Sequence, residues 1–202
     1  AFWSETYGGP AVQPLTSASG EFLNAHDFLR PRGELTVAEA GDEGLIKAFL
    51  DEFAGSGVAL ERCDRTALDS RLRGLRPIWT AGIFEPSCRD VDVAALHAHY
   101  LAQARRAGGR MLCDTRVIGI ARVGTQWLIE TTHGSVRADM VVNAAGAWAS
   151  DIAMMAGARS IAITPYRRTV VQLVVEPGAP ADLPLVMDIA GRCYFKPEAG
   201  GR

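Results

Sequence analysis

The stretch Asp139-Met140-Val141-Val142-Asn143-Ala144-Ala145-Gly146-Ala147-Trp148-Ala149 decides how the chain is read. A continuous apolar run that meets glycine just before a helical pattern predicts a buried parallel strand, a tight turn and a helix start. The small residues at 144–147 let a backbone approach a ligand closely. The helix start beyond them offers unpaired N–H groups to anionic oxygens. Taken alone, such a junction also serves simple packing in any α/β domain, so the flanking chain has to decide between the two.

Upstream, Asp90-Val91-Asp92 opens a predicted helix with Val93, Leu96, Tyr100, Leu101 and Ala104 on one face. Asp92 suits the N-cap, Arg105 and Arg106 the last turn, and Gly108-Gly109 the stop. Three or four strands are predicted next, at 110–113, 117–123, 126–132 and 135–138. Gly124-Thr125 and His133-Gly134 supply the turns of an antiparallel meander that leads into residue 140.

Nearer the start, Val12, Leu15, Ala18, Phe22 and Leu23 predict a helix ending near residue 25, with Pro14 in its first turn and His26 as a surface cap. Residues 33–38 alternate like a half-buried strand, and 42–54 carry the apolar stripe of a helix. A short strand at 58–61, a helix at 65–71 and a strand at 77–85 follow. Helices separate these strands without regular βαβ spacing, so this block reads as α+β.

Composition narrows the function classes. With 21 basic and 23 acidic residues in 202, the net charge of −2 offers no field for nucleic acid or an anionic membrane. Cys63, Cys88, Cys113 and Cys193 are far apart and form no metal or redox pair. They read as reduced, small buried residues of a cytoplasmic protein. The most apolar window, 140–158, contains Asn143, Gly146, Asp151 and Gly157, so no membrane span is expected. His97 and His99 point in different directions on a helix and cannot share a metal. The sequence holds no Ser/His/Asp set, no Gly-x-Ser-x-Gly and no His cluster, so neither a metal nor a catalytic nucleophile is identified.

The order of these pieces resembles the FAD-dependent oxidoreductases of the D-amino-acid oxidase and glycine oxidase superfamily. The resemblance rests on the Asp92-to-Leu96 helix, Thr115-Arg116-Val117, the meander and the run 141–148. Ser4-Glu5-Thr6-Tyr7-Gly8, Ile163-Thr164-Pro165-Tyr166-Arg167 and Cys193-Tyr194-Phe195-Lys196-Pro197 extend it towards both ends.

The resemblance implies α/β plus α+β architecture: part of a Rossmann-like FAD-binding domain with a β-meander, interleaved with an antiparallel-sheet substrate domain. Residues 1–28 and 91–162 would form the first, residues 29–90 and 163–202 the second. It implies Val117, Ala145, Gly146 and Trp148 as FAD contacts, with core packing as the alternative for Trp148. Tyr194 matches an active-site tyrosine placed near the substrate carboxylate, although a shift of one residue would exchange it for Phe195.

The implied activity is oxidation of the C–N bond of a small-molecule substrate: a D-amino acid, glycine, an N-methyl amino acid or a related amine. The electrons would pass on to oxygen or to another acceptor. The family's G-x-G-x-x-G strand and its later arginine-bearing segment are absent from these residues. The chain is therefore expected to be the central piece of a longer enzyme, inactive alone and binding FAD weakly or not at all. A flavoprotein-like binding or assembly domain and a nicotinamide-dependent dehydrogenase stay open as alternatives. So do the oligomeric state and which of Arg167 and Arg168 faces the site.

Overall fold

In the computed structural model, residues 1–160, 162–167 and 169–197 are described. They fall into two compact units, Ala1–Gln103 with Gln172–Arg202, and Ala104–Val171. Arg168 and residues 198–202 lie outside the described residues, so the choice between Arg167 and Arg168 is not addressed.

The first unit contains β1 (Phe2–Trp3), α1 (Gln13–Ala25), β2 (Leu29–Pro31), β3 (Glu34–Glu39), α2 (Glu43–Glu52), β4 (Glu61–Asp64), α3 (Arg65–Arg71), β5 (Trp79–Glu85) and β6 (Arg89–Val91). β10 (Leu185–Asp188) and β11 (Tyr194–Phe195) belong to it as well, as does most of α4 (Val93–Arg106). Five strands form one sheet in the order β11-β10-β3-β5-β4, and β1-β6-β2 form a second. The large sheet is antiparallel except where β10 runs parallel to β3.

β3 is central, with β10 on one edge and β5 on the other. It is therefore buried on both faces from Glu34 to Ala38 and is not half-buried, as its alternation predicts. Leu35, Val37 and Val186 pack with Cys63, Leu68 and Leu72 on one face, beneath α3. Gly82 of β5 makes this contact possible. A Cβ there would stand 2.5 Å from the Thr36 carbonyl oxygen and 3.0 Å from the Leu68 side chain. On the other face Ile46 of α2 closes over Ala38, Ala81 and Ile83.

Several expectations are corrected. The strand expected at 58–61 is β4, beginning at Glu61. Residues 110–113 form no strand. The stretch 166–176 is expected as a strand from its alternation, but its described part joins no sheet, and Tyr166, Val170, Val171 and Val174 are exposed. Cys63 and Cys88 are buried, but Cys113 and Cys193 are exposed; all four are free thiols. The helices at 65–71 and 93–106 stand where they are expected, with Asp92 accepting a hydrogen bond from the Ala95 N–H at 2.9 Å. No helix of the described residues is long and apolar enough to cross a membrane.

The second unit holds the meander β7 (Val117–Val123), β8 (Gln126–Thr131) and β9 (Gly134–Ala138), paired in that order. α5 (Ala149–Met155) packs against β7, burying Ala149 and Ala153. Residues 141–145 are not the expected buried strand: they join no sheet, and Val142 is 80% exposed. A buried parallel strand needs hydrogen-bonded neighbours on its edges and cover on its faces. Among the described residues no strand pairs with this run.

Candidate functional site

In the second unit the glycine turn has the local form that the sequence predicts. Gly146 has φ of 56°, and space beyond its Cα is open, so the backbone conformation rather than crowding requires glycine. A 3₁₀ turn, Gly146–Trp148, leads into α5. Asn143 secures the turn by donating from Nδ2 to the Ala149 carbonyl at 2.8 Å and accepting the Ala145 N–H at 3.2 Å.

Trp148 is 70% exposed, which rules out core packing as its role within this unit. Val117 opens β7 opposite Thr131, next to a register shift at Val117/Gly119. Arg116 N–H donates to the Thr132 hydroxyl, and the Arg116 carbonyl accepts the Thr132 N–H. Because α5 lies on β7, one small unit carries Val117, Ala145, Gly146 and Trp148.

In the first unit a polar site emerges that sequence reading misses. Directly opposed residues of paired strands share a face. Glu34 is opposite both Leu185 and Glu85, while Thr36 is opposite Met187 and Ile83. Met187 in turn opposes Tyr194. Tyr194, Thr36, Glu34 and Glu85 therefore line one face, and Tyr194 is 45% exposed there. Its ring meets Phe2 edge-on at 6.4 Å, and Phe2 meets Tyr7 at 5.3 Å.

The two carboxyls, although neighbours, have unequal surroundings. Glu85 is 2% exposed and accepts from the Ser4 hydroxyl (3.1 Å), the Glu5 N–H (2.8 Å), the Thr6 N–H (3.4 Å), the Thr6 hydroxyl (2.6 Å) and the Ser87 hydroxyl (2.9 Å). Glu34 is 4% exposed, receives a long hydrogen bond from the Thr36 hydroxyl on Oε1, and has no partner for Oε2. Burial first, and then the Glu85 charge, push the Glu34 carboxyl up to about 7, against the Ser4 and Thr36 hydroxyls.

The fully buried Cys88 thiol is pushed up too, by burial and then by Glu34, Glu85 and Asp90. Asp90 accepts from Arg32 Nε at 2.8 Å and pairs with Lys196 at 3.2 Å. Arg32 also donates to the Ala181 and Leu183 carbonyls, so this network holds the chain on both sides of β10 and β11.

The one sequence signal for this site is Ser4-Glu5-Thr6, whose donors reach a glutamate eighty residues away. His99 comes against His26, Phe22 and Phe28 as part of a ring cluster. Among the described residues no three His, Cys, Asp or Glu side chains are placed to hold a metal.

The sequence profile of the FAD dependent oxidoreductase family matches residues 15–202. The chain belongs to this family. It is similar to human mitochondrial dimethylglycine dehydrogenase, with 31% identity over 124 residues, covering 60% of this chain and 14% of that protein. The mouse dimethylglycine dehydrogenase is 32% identical over 125 residues, with the same coverage. The chain thus spans a small part of the curated relatives that it matches.

Its fold is similar to glycine oxidase from Geobacillus kaustophilus, with a TM-score of 0.74 and 20% identity over 99% of this chain and 57% of that one. L-proline dehydrogenase from P. horikoshii gives a TM-score of 0.76 at 17% identity, over 98% and 55%. The glycine turn is compatible with the family's cofactor: residues 144–147 carry no bulky side chain, and open space lies beyond Gly146.

Proposed function

We propose that the protein to which this chain belongs oxidises the C–N bond of an amino acid or related amine. The observation that carries this reading is the half-exposed Tyr194 phenol on a polar sheet face. A phenol there can donate a hydrogen bond to a substrate carboxylate and so orient the amine. The similarity to dimethylglycine dehydrogenase and glycine oxidase supports the same substrate class.

In this reading residues 1–28 and 91–162 form the flavin-binding layer, and 29–90 and 163–202 form the substrate layer. Val117, Ala145, Gly146 and Trp148 would hold FAD, the turn residues by leaving its surface uncrowded. The chemistry supplied by bound FAD is acceptance of the substrate's α-hydrogen as hydride. Tyr194 orients the substrate, Arg32 and Asp90 hold its strand in place, and the imine left on the substrate hydrolyses in water.

The test uses the full-length enzyme with FAD and a panel of D-amino acids, glycine and N-methyl amino acids. Peroxide release or dye reduction is expected with at least one of them. Tyr194→Phe is expected to raise the KM for that substrate by about 10–100-fold, the worth of one hydrogen bond to a charged group. No turnover across the panel, or an unchanged KM in Tyr194→Phe, overturns the reading.

A further inference from the structure

Two carboxyl groups opposed on adjacent strands, both out of water, cannot both carry charge cheaply. The hydrogen-bond donors decide which one does. Five donors converge on Glu85, four of them from residues 4–6, whereas Glu34 Oε2 has none. The charge therefore resides on Glu85 and the proton on Glu34.

We propose that Glu34 and Glu85 form a proton-dependent latch: with Glu34 protonated, Glu85 holds residues 4–6 against the sheet, and loss of that proton releases them. Cys88 adjoins the pair as an uncharged thiol, raised by burial, and the charged groups beside it are Asp90 and, of opposite sign, Arg32. Lys196 is engaged with Asp90. α2 contributes Ile46, an apolar residue, to this face, and β10 contributes Leu185 and Met187.

When Glu34 gives its proton to solvent, two buried anions face each other. The least costly relief is hydration, which requires the covering segment to lift. Among the described residues few other hydrogen bonds fix residues 4–6: one between the Ser4 and Thr6 hydroxyls, one from the Ser17 hydroxyl to the Glu5 carboxylate, and one from the Gly9 N–H to the Thr6 carbonyl. Phe2 and Tyr7 flank the strap and Phe2 rests on Tyr194, so release uncovers the face that carries Tyr194. This latch is a property of the chain itself and does not depend on which substrate the intact protein oxidises.

Hydrogen exchange of the 202-residue chain between pH 5.5 and 8.5, corrected for the intrinsic base-catalysed rate, tests it. Protection of the Glu5 and Thr6 amides is expected to fall by about tenfold for each pH unit above the Glu34 transition. Peptides of α3 provide the internal reference and are expected to keep their protection. Glu34→Gln is expected to hold the strap closed at every pH. Thr6→Val, which removes the 2.6 Å donor to Glu85, is expected to lower protection already at pH 5.5. Protection that does not change with pH in the unmodified chain refutes the latch. The same fall in Glu34→Gln, an equal fall in α3, or unaltered protection in Thr6→Val also refutes it.

Discussion

Replacing Glu34 with glutamine separates the cost of a buried charge from the cost of a lost contact, because the two side chains have nearly the same shape. The folded chain holds the Glu34 carboxyl at about 7, against an ordinary value of 4.5. Its folded pKa is raised, so between those two values the folded state binds more proton than the unfolded state, and stability falls as pH rises. Below pH 4.5 both states are protonated and the group contributes nothing to the pH dependence. Above about pH 7 the full penalty of about 3 kcal/mol is present.

Glutamine never ionises, so Glu34→Gln removes that slope. Urea unfolding of both proteins from pH 4.5 to 8.5 measures it. The stability difference is expected to move by about 3 kcal/mol in favour of the variant across this range, most of it between pH 5 and 7. Taking the difference cancels the contributions of groups remote from Glu34, which are the same in both proteins. Two curves that stay parallel from pH 4.5 to 8.5 refute the assignment of the proton to Glu34.

Two further outcomes follow from the packing around β3 and β10. Gly82→Ala is expected to lower stability by about 1–3 kcal/mol, seen as a reduced Tm, since its Cβ would press on the Thr36 carbonyl; an unchanged Tm contradicts the close approach. Asp188 is held below the usual carboxylate range, first by its hydrogen bond from Arg192 and then by the Ala190 and Arg192 amides. Its folded pKa is depressed, so its contribution is present above the unfolded value and is lost as pH falls through the folded one. Asp188→Asn is expected to cost about 1–3 kcal/mol at pH 7 and progressively less in acid, and denaturation midpoints at pH 7 and pH 3 check this.

Local patterns in the sequence determine the helices, the meander and the glycine turn. A 3.6-residue apolar period, the Asp92 cap and the Gly124 and Gly134 turns are written within a few residues of the structures they produce. The motif order is legible for the same reason, and it is enough to identify the family.

Sheet membership is decided only in three dimensions, because a strand exists through its partners. The run 141–145 has the composition of a buried strand but no partner among the described residues, so it is exposed. β10 and the short β1, β2 and β6 carry weak local signals and form through pairing across the chain.

The carboxyl pair depends most on tertiary structure. Glu34 and Glu85 are fifty-one positions apart and read separately as solvated charges. The β3–β5 register brings them together, and the donors of residues 4–6 then decide which of them stays ionised.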